Sequence, residues 1–514
     1  MSGKRKRNYK GVKKRKTERK KGQIHFWIFL QALASLIFFG VVILLDMFPM
    51  KYLLMIAVVL LLLWSITMNL QIAHRKTRGL GKILSLLLIV VLAAGSYYVI
   101  RTNDMIHMIA NGGHKSQMIA VAVLKDDEAQ TLQDASGYLF GLRVEENGGM
   151  EETLLAVEKE MGADIETTVY DSVEEQAEAL CEGEVGAIVY NEAYLSQLEK
   201  VLNEYGESIR VIYREKIRVE MDFGETDRNI TKEPFTVYLS GIDVYVDSDT
   251  GEAVNSSGET GQGRSDVNIL AVVNPTTQQI LLITTPRDYY VNIPGVSGGT
   301  PDKLTHAGLY GIDASMATLS ELYETDIKYY ARMNFNALID IVDILGGIDV
   351  YSNYEFTTSH EASGDDIFTV TEGYNHLNGS RALAFSRERQ NLAEGDIQRG
   401  RNQQAVITAM IKKMLSPTIL VKANNVIEAI GDNAETNLSK EQINGLIKYQ
   451  LGTNANWSIK SVSATGQPMD AYCYSLGDTL VNVIEPDYDV IDEIVAEVNI
   501  VEEGGVLEGS ESLQ

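Results

Sequence analysis

Three apolar runs without an Asp, Glu, Lys or Arg, at 24–45, 52–73 and 83–100, the first two separated by a short loop holding Asp46 and Lys51, set the first fifth of the chain apart from the rest. Each is close to the roughly 20 residues a helix needs to cross a hydrocarbon core. A single cleavable leader is a poor account of them, because there are three and none ends in a convincing small-residue cleavage site. The pattern therefore predicts three transmembrane helices within 23–101. Beyond them, short apolar segments alternate with amphipathic ones. Residues 118–124 and 185–190 read as buried strands, and 152–161, 172–180 and 192–204 have helical spacing, which predicts a small α/β accessory domain over 102–230. The polar stretch 222–234 reads as a linker. A larger α/β domain is expected over 235–502, with strands at 236–240, 267–273 and 279–284 and helices at 311–323 and 334–345. The insertion 247–263, rich in Gly, Ser, Thr and acidic residues, reads as a surface loop, and 503–514 as a disordered tail.

Charge sharpens this division. Residues 1–101 hold 18 of the 45 Lys and Arg but only 2 of the 70 Asp and Glu, so a net of +16 faces a net of −41 in the remainder. Twelve of the cations lie in residues 1–22, and Arg75, Lys76, Arg78 and Lys82 lie around the second loop, whereas the first loop is nearly neutral. Positive segments stay cytoplasmic, which predicts a multi-pass cell-membrane protein with its N-terminus inside and everything after Ile100 outside. The basic segment serves as a topology signal that also touches anionic membrane lipid; with no zinc-finger or helix-turn-helix pattern beside it, nucleic acid is not an expected partner. Cys181 and Cys473, the only cysteines, lie in different expected domains without metal-ligand spacing, so no structural disulfide is expected. Few cysteines in a large external region suit a bacterial surface protein, of Gram-positive type.

Candidate chemistry is concentrated late in the chain, where Arg387, Arg389, Arg399 and Arg401 crowd an otherwise acidic region. Residues 383–389 read as a strand whose period of two puts Phe385, Arg387 and Arg389 on one face. The segment 399–415 reads as a helix, with Asp396, Arg399 and Gln403 on one side of its first turns. Guanidinium groups gathered near a helix amino end suit phosphate oxygens; the same pattern also suits a solvated face paired with Glu388, Glu394 and Asp396. If the strands at 267–273 and 279–285 form a hairpin through residues 274–277, Asp266 and Arg287 emerge at one edge. Asp243 and Asp266 could hold a divalent cation or act as turn and capping residues, and Arg264, Lys303 and His306 could reach the same place. No Walker loop, GxSxG, HExxH or CxxC occurs. ATP is scarce outside the membrane, so a phosphate enzyme there needs an activated donor, and a lipid-linked diphosphate is the obvious one.

These residues resemble the LytR-CpsA-Psr family of bacterial cell-envelope transferases over about 235–500. The marks are SGID at 240–243, RSDVN at 264–268, PRD at 286–288, residues 335–349 running into ILGGIDV at 344–350, Leu377-Asn378-Gly379, RER at 387–389 and DIQRGRNQQ at 396–404. The resemblance implies a larger α/β/α domain with a mixed central sheet, of the capsule-associated type with an accessory domain. It implies a phosphotransferase that moves a glycopolymer phosphate, from teichoic acid or capsule, from a polyprenyl diphosphate carrier to peptidoglycan. Asp243 and Asp266 would bind Mg2+, with Mn2+ as the other candidate. Arg264, Arg287, Arg387, Arg389, Arg399 and Gln403 would surround the diphosphate, with Asp396 adjacent and Arg287 acting in catalysis with the aspartates. Asp243 or Asp266 is the natural general base. An apolar tunnel for the lipid would use the inward faces of the helices at 311–323 and 334–345. A lipid diphosphate phosphatase and a nonenzymatic lipid-binding sensor are the alternative functions.

Overall fold

The computed structural model describes residues 26–72, 77–109, 114–144, 149–221, 229–242, 244–246, 253–255, 263–393, 395–415 and 434–512. The basic segment 1–22, most of the insertion 247–263 and residues 222–228 of the expected linker lie outside them. The chain divides into two compact units, one of 1–108 with 440–455 and one of 109–439 with 456–514.

The first unit contains helices α1 (Phe26–Leu45), α2 (Met50–Ile72) and α3 (Arg78–Ile109). Among the described residues these three are long and apolar enough to cross a membrane. Their apolar side chains face outward, as lipid requires, while Gln31, Thr67, Gln71 and Ser85 are buried between them. Gln31 Oε1 accepts from Thr67 Oγ1 at 2.7 Å and from Ser85 Oγ at 2.6 Å, and Gln71 Nε2 donates to Ser85 Oγ at 2.8 Å. Side-chain bonds of this kind join helices where no hydrophobic force acts between them. Helix Lys440–Thr453 belongs to the same unit: Asn444 Nδ2 donates to the Leu45 carbonyl at 3.0 Å, and Lys448 pairs with Asp46 at 2.7 Å.

The second unit contains two sheets. The first is built from β1 (His114–Leu124), β2 (Leu139–Arg143), β3 (Glu166–Tyr170), β4 (Ala187–Asn191) and β5 (Ile209–Glu220), in the order β3-β2-β4-β1-β5. Helix α4 (Met150–Met161) packs through Val157 on one face, and α5 (Val173–Cys181) and α6 (Leu195–Glu204) pack on the other.

The second sheet comprises β6 (Phe235–Ile242), β7 (Ser265–Asn274), β8 (Gln279–Thr285), β9 (Ile327–Asn334), β10 (Ala434–Thr436), β11 (Ser458–Ser463) and β12 (Glu511–Ser512). Their order is β10-β9-β6-β7-β8-β11-β12. The β6–β9 and β8–β11 pairs are parallel and the others antiparallel, giving the mixed sheet expected. One face carries helices α7 (Leu304–Tyr310) and α8 (Ile312–Tyr323) and the helix Tyr488–Glu502; their Met316, Leu319, Tyr323, Ile494 and Val498 meet Tyr238, Leu270 and Leu281 of the strands. The other face carries α9 (Phe335–Leu345), α10 (Gly379–Arg387) and α11 (Gly395–Met414). Buried Gln404 fixes α11 to the sheet, its Nε2 donating to the carbonyls of Leu282 (3.2 Å) and Val462 (2.8 Å).

Two expectations need correcting here. The tail is not disordered as far as Ser512: Leu507 is buried, its N–H donates to Gln279 Oε1 at 2.8 Å, and Glu511–Ser512 pairs with β11. A composition rich in Gly and Glu concealed one apolar anchor. The two sheets are also more than neighbours joined by a linker, because Tyr194, Leu198 and Val201 share one core with Ile293, Ala307, Tyr310 and Ala314. Across this junction the buried Lys115 ammonium meets Asp313 at 2.9 Å. Gly311 is required beside it: at φ +128°, a Cβ there would lie 2.2 Å from Asp313 Oδ1.

Removing one member of a buried ion pair leaves the other charge uncompensated, a loss of about 3 kcal/mol or more. Lys115→Ala should therefore lower the stability of the detergent-solubilised chain by about that amount in urea unfolding. The double change Lys115→Met with Asp313→Leu should recover most of it.

Candidate active site

The site lies where β6 and β8 end and β7 begins, and close approach of backbones makes it possible. Gly241 stands opposite Val267 in the β6–β7 register, and a Cβ at Gly241 would come within 2.8 Å of the Val267 side chain. The expected β7–β8 hairpin forms, with Gln279 opposite Asn274 and Thr285 opposite Asn268. It delivers Asp266 and Arg287 to one edge, where Arg287 Nη1 donates to Asp266 Oδ1 at 2.9 Å and Thr305 Oγ1 approaches the same oxygen at 3.4 Å.

Helices α9 and α10 bring in the next arginines. Asn334 caps α9 by accepting from the Ala337 N–H at 3.0 Å, and Gly346 ends it in the left-handed conformation. The Leu377-Asn378-Gly379 turn then docks α10 on it. Asn378 Oδ1 accepts from the Arg381 N–H at 3.0 Å, the Gly379 N–H donates to Asp343 Oδ1 at 2.7 Å, and a Cβ on Gly379 would lie 2.2 Å from the Ile339 carbonyl oxygen. Only glycine permits that contact. Arg387 ends α10 with its guanidinium 5.1 Å from the centre of the Phe335 ring.

The segment 383–389 is therefore helix and turn, not the strand expected. The buried positions of α10, Gly379, Ala382, Ala384, Phe385 and Ser386, belong to a helix started by the Asn378 cap, which outweighs the local alternation. The chain turns at Glu388, which is fully buried and accepts from the backbone N–H groups of Ser359 and of Asn391, the latter at 3.0 Å. Glu388 is thus engaged with backbone instead of with its neighbouring arginines. Arg389 meets Glu361 at 2.7 Å.

Together these elements enclose a cavity of about 190 Å³. Its polar lining includes Asp266, Arg287, Glu361, Arg387, Arg389, Arg399 and Gln403; Leu239, Val267, Met333, Phe335, Leu338, Val406 and Ile407 form an apolar wall. Arg399, Gln403, Val406 and Ile407 lie along one face of α11, as its periodicity requires. Four guanidinium groups against two carboxylates leave a net of two positive charges, which matches a diphosphate esterified at both ends.

Some sequence candidates fall elsewhere. Arg264 is exposed and is not part of the lining. Lys303 pairs with Asp288 at 2.8 Å. His306 is buried against Asp302 at 2.7 Å; burial alone would push the Asp302 carboxyl up, yet His306 and the Ser475 N–H hold it below its ordinary value. Asp243 and the side chain of Asp396 lie outside the described residues. The face of α8 belongs to the core across the sheet, so of the two expected tunnel helices only α9 contributes, through Phe335 and Leu338. Sequence reasoning missed Glu361, Ser386 and Asn334; Glu361 sits in an acidic stretch with no motif to mark it.

For a divalent cation, Asp266 offers one hard carboxylate, and Mg2+ completes its shell from phosphate and water, so the donors are compatible with it. Among the described residues no cluster of three or more His, Cys, Asp or Glu forms a metal cage.

The LytR_cpsA_psr family profile matches residues 201–489. Curated relatives include the polyisoprenyl-teichoic acid–peptidoglycan teichoic acid transferase TagU of Enterococcus faecalis, 36% identical over 48% of this chain and 76% of that protein. TagU of Bacillus mycoides is 33% identical over 50% of this chain and 76% of that protein. Among solved structures, TagV of B. subtilis aligns with a TM-score of 0.43 at 24% identity, covering 53% of this chain and 98% of that one.

A hydrogen bond to a charged group contributes about 1.5–3 kcal/mol, or roughly ten- to a hundredfold in affinity. Arg287→Ala, Arg387→Ala and Arg389→Ala should each weaken binding of a polyprenyl diphosphate by that factor. Arg389→Lys keeps the charge but loses the fork, and should remain clearly impaired. Arg381→Ala, which removes a cation paired with Asp366 outside the cavity, should change little. Equal small losses in all of them would mark the cluster as a solvated face.

Proposed function

The chain belongs to the LytR-CpsA-Psr family, and we propose that it is a membrane-anchored phosphotransferase that moves a glycopolymer phosphate from a polyprenyl diphosphate carrier to peptidoglycan. The observation that carries this reading is the cavity itself, which sets four arginines beside an apolar wall. That combination suits an anionic diphosphate continued by a lipid. The named activity of the relatives supports it, with teichoic acid as the polymer class their names print.

The acceptor hydroxyl oxygen bonds to the phosphorus that bears the sugar, and the bond from that phosphorus to the bridging oxygen breaks. Polyprenyl monophosphate leaves. Arg287, Arg387, Arg389 and Arg399 neutralise charge that develops on the bridging and leaving oxygens, the dominant contribution in such transfers. The proton of the hydroxyl passes to Asp266 or Asp243. Mg2+ at these aspartates would supply further charge neutralisation on the diphosphate. Residues 102–514 would work outside the membrane, where both substrates meet.

The test is incubation of the full-length protein in detergent with a synthetic polyprenyl diphosphate sugar and peptidoglycan fragments, read by mass spectrometry. A phosphosugar–peptidoglycan adduct with released polyprenyl phosphate is expected; phosphosugar alone would make the protein a hydrolase, and unreacted lipid would remove the proposal. Asp266→Ala should abolish the Mg2+-stimulated rate while the circular dichroism stays unchanged, and full activity in excess chelator would rule the metal out. Protease added to wall-stripped intact cells should digest the region after Ile100. Protection of that region would reverse the orientation.

A further inference from the structure

A second cavity lies at the carboxyl edge of the β1–β5 sheet, separate from the arginine cavity. The chain leaves β2 towards β3 through α4 on one face, and leaves β4 across β1 to β5 through α6 on the other. Between strands whose connections diverge in this way a crevice opens, and it is the usual ligand position in sheets of this kind. Here β2 and β4 pair only at Phe140–Ala187 and Gly141–Ile188 before they part. Gln176 bridges the parting, its Nε2 donating to the carbonyls of Gly141 (2.9 Å) and Val189 (2.8 Å).

The inner end of the crevice holds two buried polar atoms without a protein partner, Gln176 Oε1 and the Tyr190 hydroxyl; Gln176 is 0% and Tyr190 4% exposed, and both line it. A buried unpaired polar group costs about 1–3 kcal/mol, and the inner end, about 20 Å³, has room for a single hydroxyl group or water to meet them. Burial pushes the Tyr190 phenol up to about 12, which keeps it a donor, while the Gln176 carbonyl accepts. Arg143 and Val173 line both this inner end and an outer chamber of about 610 Å³. The outer chamber is lined by residues of the segment 292–300, whose Gly295, Gly298 and Gly299 take positive φ, and by Tyr474. The exposed Asp171 and Glu174 line it together with Arg143, which stacks 3.9 Å over the Tyr194 ring.

We propose that this crevice is a binding site for a neutral saccharide. Two carboxylates against one guanidinium disfavour an anion, which is the reverse of the arginine cavity. The half-buried Tyr474 and the planar carboxylate and guanidinium groups of the outer chamber match the apolar faces and hydroxyl rims of sugar rings. The connection from β8 to α7 carries Arg287 at one end and the crevice loop in its middle, so the chain joins the two sites directly.

The test uses the full chain in lipid nanodiscs on an immobilised panel of hexose and N-acetylhexosamine oligosaccharides with their phosphorylated counterparts. Neutral members should be retained, and Arg143→Ala combined with Tyr474→Ala should lose at least tenfold of that binding. Glu174→Arg, at the exposed rim, should lose a similar amount without disturbing the fold. Arg387→Ala, which damages the other cavity, should leave neutral binding unchanged. Retention of phosphorylated members only, loss of neutral binding with Arg387→Ala, full binding in both crevice variants, or no retention at all would overturn the proposal.

Discussion

Mutual repulsion among Arg287, Arg387, Arg389 and Arg399 is the constraint around which the second unit is organised. Four like charges lining 190 Å³ would move apart on flexible loops, so each is fixed by something stiffer than its own side chain. Arg287 is held by Asp266, Arg387 rests on a helix end over Phe335, Arg389 meets Glu361, and Arg399 projects from a helix fastened to the sheet by Gln404. Asp266 and Glu361 offset two of the four charges, and preorganisation of this kind leaves the remaining positive charge in place for a diphosphate.

The glycines of the family motifs acquire a physical reason from this arrangement. Gly241 and Gly379 permit backbone or side-chain approaches that any Cβ would block, and Gly346 reverses the chain after α9. Side chains at the first two positions would push β6 from β7 and α10 from α9. Either displacement would move a cavity wall and misplace a guanidinium fork.

Much of this was legible in the sequence wherever one periodicity acted alone. The membrane helices, the β7–β8 hairpin and helix α11 follow from length, turn residues and repeat, and the Asp266–Arg287 contact follows from the hairpin. Legibility failed where a cap competed with alternation, as at 383–389, where Asn378 starts a helix that the apolar pattern alone did not reveal. It failed again for Glu361 and for His306, since only tertiary packing decides which of two similar polar residues faces a cavity and which faces Asp302. The shared core at Tyr194 and Tyr310 was equally hidden, because no sequence pattern states which of two amphipathic faces will meet.

The polar cluster in the first unit bears on biosynthesis. Gln31 Oε1 accepts from α2 through Thr67 and from α3 through Ser85, so no pair of these helices satisfies the cluster without the third. A hairpin of α1 and α2 released early into lipid would leave part of the cluster without its bonds. The three helices should therefore remain together beside the insertion machinery until the last is made, and enter the bilayer as a group.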